Sequence, residues 1–266
     1  MSVEDYIFPN GFLDPGLQEW VVECHRLYPE WFALVNDINA FAIKVMTSLD
    51  VHDDEPQETL VAAMFIRALH TFQGAVLMAE RGMMTPGRML ARCMLEVVFQ
   101  LVAISKDKSH AQEYAQSDTI HKLKSFRKLQ KLGGPEFSKQ IHLDRAAELE
   151  NEKAALGLKN SAQVEEWAKR AGLHNFYLTA YAHLSGAVHS SPSDLEEYLI
   201  LDENGIIKEL KWWSSDNDID ALFIMVIECM MIVIENTCHI TTIETPEILE
   251  TFNRRLKALV SESDKE

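Results

Sequence analysis

A chain of 266 residues, 47% hydrophobic and 25% charged, has the composition of a soluble globular protein and enough length for a sizeable core. Its formal charge of −16 excludes generic attraction to nucleic acid or anionic membrane, because the long-range field repels phosphate; a local basic site is still allowed. Cys24, Cys93, Cys229 and Cys238 show no C-x-x-C spacing and lie among apolar neighbours, which predicts buried thiols in a reduced, cytoplasmic protein.

The first 28 residues contain Pro9, Gly11, Pro15 and Gly16 and read as an N-terminal arm ending in a short helix from Leu17 to Leu27. Met1–Tyr6 has neither a basic start nor an apolar run, so no signal peptide is expected. From Pro29 a 3-4 apolar repeat (Trp31, Phe32, Val35, Ile38, Phe41, Ala42, Val45) predicts a helix that ends at the acidic turn around Asp50–Pro56. A second helix is predicted from about Gln57 to Arg81, stopped by Gly82. Thr85-Pro86 reads as the cap and first turn of a third, ending near Lys106. Further helices are expected from Ser109 to Leu132, where Gly133-Gly134-Pro135 breaks the pattern, then within 136–160, and from Ser161 to Ala171. After Gly172 comes the helix carrying Tyr181–His189.

Beyond Pro192 the period changes. Glu197–Leu201, Asp202-Glu-Asn-Gly205 and Ile206–Leu210 predict a β-hairpin with an Asn-Gly turn. Ala221–Ile234 is an apolar run of about 14 residues interrupted by Glu228, short of the roughly 20 needed to span a bilayer, and predicts a buried core helix and no membrane association. A terminal helix from Pro246 to about Ser261 completes the chain. The expected fold is all-α: one multi-helix bundle over residues 29–262 with a hairpin inserted at about 197–210.

Two polar stripes stand out. Arg88, Arg92 and Glu96 recur every four residues within an otherwise apolar helix, and Tyr181, Ser185 and His189 do the same downstream. Buried charge without a partner is costly, so the first stripe predicts pairing across helices, with Arg92 or His189 matched to Glu96. A structural ion-pair network and a site holding phosphate or carboxylate fit that pattern equally. His189 can cap its helix or act in a site. No Gly-x-Ser-x-Gly elbow supports Ser185 as a hydrolase nucleophile.

Arg88-x3-Arg92-x3-Glu96 followed by Tyr181-x3-Ser185-x3-His189-Ser-Ser-Pro, and then a hairpin, resembles a bacterial group of helical proteins known as a domain of unknown function, over roughly residues 60–215. That group looks distantly like the HEPN superfamily, helical bundles that include RNA-cleaving toxins and phage-defence effectors. The resemblance implies an HEPN-like bundle, a homodimer, a role in defence or stress response, and metal-independent RNA cleavage without cofactor. In that scheme His189 is general acid/base, Arg92 clamps phosphate, Glu96 orients one of them and Tyr181 donates a hydrogen bond, with Ser185 on the same face and Arg88 binding. HEPN nucleases carry Arg-x4–6-His; here Arg67 and His70 have two residues between them, Arg170 and His174 have three, and no Arg-x4–6-His occurs.

A basic island on one predicted helix, with Lys124, Arg127, Lys128 and Lys131 at its centre, is a candidate surface for RNA or an acidic protein partner; its plain reading is a solvated or internally paired face. His70 reads as a core histidine. No H-E-x-x-H or Cys/His framework points to a metal. Trp212-Trp213 reads as packing under the hairpin, with a stacking platform as the alternative. The rival to the ribonuclease is a non-catalytic binding or assembly module whose Arg, Glu, Tyr and His residues form a structural network.

Overall fold

The computed structural model describes residues 8–52, 54–133, 139–158, 161–241, 243–244 and 247–263. Pro135 and Pro246, read above as a helix break and a helix start, lie outside them. The architecture is all-α with one small antiparallel hairpin.

Helices α1 (Leu17–Leu27), α2 (Pro29–Thr47), α3 (Pro56–Glu80) and α4 (Met84–Lys106) follow one another through short turns. Pro at the first helical turn opens both α2 and α3, where its missing N–H costs nothing. The α3–α4 pair is the centre of the bundle. Helix α11 (Ile219–Ile240) packs on both members, and α2 and α12 (Ile248–Ser263) pack on α11. Phe65 and Phe72 of α3, Phe99 of α4, Phe223 of α11 and Leu34 and Ile38 of α2 are fully buried there, each contributing roughly 1.5–3 kcal/mol. Helix α1 seats Trp20 and Cys24 in the same core, so the arm ends in a packed element.

On the opposite flank of α4 lie α7 (Val164–Ala171) and a helical run made of α8 (His174–Phe176), a π-turn (Tyr177–Tyr181) and α9 (Ala182–His189). Helices α5 (Lys108–Leu132) and α6 (Gln140–Ala155) pair with each other at the periphery. After α10 (Pro192–Leu195), β1 (Leu199–Leu201) pairs with β2 (Ile207–Leu210), with a bulge between Ile200 and Leu201. Asp202 holds the turn by accepting hydrogen bonds from the backbone N–H groups of Asn204 (2.8 Å) and Ile206 (2.9 Å).

Several expectations change. Helix α4 begins at Met84, so Thr85 and Pro86 sit inside its first turn and Thr85 does not cap it; its hydroxyl serves Arg88 instead. The cap of α5 is Asp107, which accepts from the backbone N–H of Ser109 at 2.8 Å. His70 is exposed, because the buried positions of α3 (Ala68, Leu69, Phe72) point the other way. Three thiols are buried and Cys93 is exposed. Helix α11 runs 22 residues, longer than its apolar stretch, and both α3 and α11 are long and apolar enough to cross a membrane by length and composition alone. In the structure both pack against α4.

Glu228 lies within α11 and has no hydrogen-bond or ion-pair partner among the described residues. Burial alone pushes its carboxyl above the usual glutamate range. The folded state therefore binds this proton more tightly than the unfolded chain does. The stability it contributes is full at low pH and is lost as pH rises from the ordinary glutamate range through the folded value. Glu228→Gln is expected to raise the melting temperature at pH 7.5 by a few degrees and to leave it unchanged near pH 4. A thermal-shift series across that range checks both ends.

Candidate functional site

The two stripes meet. Helices α4 and α9 run antiparallel: Arg88 pairs near residue 197, Arg92 with Ser185, and Glu96 with Tyr181. The contacts divide into two clusters, and helix geometry explains the division. Each four-residue step advances about 40° beyond a full turn, so residues eight apart diverge by about 80°. Neither i, i+4, i+8 series can keep all three members on one line.

The first cluster is a clasp between α4 and α9. The Arg92 guanidinium lies over the Tyr181 ring, 3.6 Å from its centroid. Its Nε–H donates to Ser185 Oγ at 3.3 Å, and it forms an ion pair with Glu96 one turn on. Glu96 also accepts the Tyr181 hydroxyl at 3.1 Å. Ser185 donates in turn to the Tyr181 carbonyl at 2.7 Å. Each of the four residues is thus engaged by at least one other member. The Tyr181 phenol is pushed up to about 12, chiefly by burial and next by the negative charge of Glu96, against the opposing pull of Arg92. It is therefore neutral at physiological pH and a hydrogen-bond donor. The π-turn at Tyr177–Tyr181 widens the helix as Tyr181 enters the clasp; such turns are uncommon and are often found at functional sites.

The second cluster is centred on Arg88, which is 9% exposed. Its guanidinium donates to Thr85 Oγ1 at 3.1 Å, pairs with Glu197, and stands 3.5 Å from Asp194. This ties α4 to α10 and to the segment leading into the hairpin. Asp194 and Glu197 escape a reading of the sequence by stripes, since they lie in short turns with no periodicity. The available signal was the acidic run after Ser191-Pro192, opposite in sign to an arginine in an apolar helix.

His189 joins neither cluster. It is the last residue of α9, exposed, and without a hydrogen-bond or ion-pair partner among the described residues; Ser190 turns the chain away at φ 50°. Glu96 pairs with Arg92 and not with His189. The basic island of α5 is partly neutralised: Arg127 pairs with Glu150 of α6, and Lys122 with Asp118. Lys124, Lys128 and Lys131 are exposed. Among the described residues no group of three or more His, Cys, Asp or Glu is placed to hold a metal.

The pattern of a family described as a family of unknown function (DUF5677) matches residues 58–206, more than half of the chain and inclusive of both clusters. No curated protein and no solved structure matches the chain.

Proposed function

From the premise that this chain belongs to the DUF5677 family of unknown function, we propose that it is a non-catalytic helical binding or assembly module whose Arg92–Glu96–Tyr181–Ser185 cluster is a structural clasp. One observation carries this reading: the Arg92 guanidinium is held at Nη1 by Glu96, at Nε by Ser185 and across its face by the Tyr181 ring, so its charge is already offset by a carboxylate within the protein. The exposed apolar residues of the hairpin support the assembly part of this reading. Leu201 faces Ile207 across the ladder, and both are more than half exposed, as is Leu210 opposite Leu199. A two-stranded hairpin with an open apolar face is marginal alone and gains by burial, which supports a homodimer or a protein partner.

The second reading is an HEPN-like, metal-independent endoribonuclease in defence or stress response. It rests on the motif resemblance and on the exposed imidazole of His189, one turn past Ser185 on α9 and without a partner among the described residues. Incubation of RNA with EDTA present, comparing wild type, His189→Ala and Arg92→Ala, separates the two. Under the module reading all three show the same background cleavage, Arg92→Ala loses about 2 kcal/mol of stability through the lost stacking and ion pair, and His189→Ala unfolds like wild type. Cleavage by wild type that both substitutions abolish would establish the nuclease.

A further inference from the structure

We infer that the cavity between the α3–α4 turn and the segment after the hairpin is a binding site for a small aromatic carboxylate, one ring in size. None of the four clasp residues lines the cavity. The cavity measures about 150 Å³ and is walled by Phe12, Met83, Tyr198, Trp212 and Trp213, with Lys211 among its lining residues. A cavity of roughly that volume accommodates one benzene-sized ring. The two indoles stand at 73° with centroids 6.4 Å apart, an edge-to-face pair that forms one aromatic wall of the cavity.

The charged lining then chooses among aromatic guests. Lys211 donates to Ser215 Oγ at 2.7 Å but has no carboxylate partner among the described residues. The other charged lining residue, Glu197, is already paired with Arg88. Lys211 is therefore the lining charge without a counter-ion among the described residues, in a protein whose net charge is −16. A ring bearing a carboxylate supplies the counter-charge that Lys211 lacks; a neutral ring does not, and a cation adds repulsion.

The site is tested by titrating the full chain with benzoate, benzamide and benzylammonium, followed by calorimetry and tryptophan fluorescence. Benzoate is expected to saturate at one per chain and to bind roughly tenfold tighter than benzamide, the difference between a charge-assisted and a neutral hydrogen bond. Benzylammonium is expected not to saturate. Lys211→Met should erase the advantage of benzoate while benzamide binding persists, and Lys211→Arg should keep it. Trp213→Phe should weaken both ligands severalfold. Absence of saturable binding by all three ligands overturns the site. So does benzoate binding that neither Lys211→Met nor Trp213→Phe alters, or tighter binding of benzylammonium than of benzoate. The ligand series on wild type decides the charge preference even if a variant fails to fold.

Discussion

Arg88→Ala is expected to lower the unfolding free energy by about 3–4 kcal/mol, the range for removing one partner of a buried ion pair. The guanidinium is the common partner of Thr85, Asp194 and Glu197. Glu197 is 42% exposed at its side chain and can rehydrate, but the Asp194 side chain is only 9% exposed and would be left as a charge in an enclosed site. Most of the loss should therefore trace to Asp194. Chemical denaturation of Arg88→Ala, Asp194→Asn and the double variant measures this, and a favourable coupling of roughly 1–2 kcal/mol is expected. If the double variant is as unstable as the sum of the singles, the pair is not coupled and Arg88 stabilises through packing alone.

Gly82→Ala should cost about 3 kcal/mol, and for two separable reasons. Gly82 ends α3 at φ 73°, where an L-residue with a Cβ is disfavoured by about 1–2 kcal/mol. A Cβ there would also lie 2.6 Å from the backbone N of Ser215 and 2.6 Å from Ser214 Cβ, so the strand-to-helix segment must shift, at a further 1–3 kcal/mol. That segment is anchored to Gly82 by the hydrogen bond from Ser215 N–H to the Gly82 carbonyl at 3.1 Å. Gly205, at φ 76° with nothing within 4 Å of a built Cβ, isolates the first effect. Gly205→Ala should cost only about 1 kcal/mol. Thermal and urea unfolding of the two variants give the difference, and equal losses would mean that the close approach at Gly82 is not tight.

The bundle was largely legible because its signals are local. The 3-4 repeat of Trp31, Phe32, Val35 and Ile38, the Pro residues that open α2 and α3, and Gly82 as a stop are each read within a few residues. The hairpin was equally plain from Asp202–Gly205 between apolar runs. Local pattern and structure diverge where a tertiary contact overrides a local preference. Thr85 has the chemistry of a cap but bonds to Arg88, while Met84 already occupies the first helical position. Cys93 sits beside apolar Met94 and Leu95, yet its position on α4 faces solvent.

For the candidate site, the sequence by itself determined which residues would be polar within apolar helices: Arg88, Arg92 and Glu96 on one, Tyr181, Ser185 and His189 on the other. Burial cost alone requires such charges to find partners, so pairing between helices follows from composition and period. Which partner each one takes was decided only by the tertiary structure. The 40° advance per four residues turns Arg88 toward Asp194 and Glu197, Arg92 toward Tyr181 and Ser185, and His189 out to solvent. The cavity beside Trp213 likewise exists only because an N-terminal phenylalanine, the α3–α4 turn and the end of the hairpin converge from three distant parts of the chain. No local period encodes that convergence.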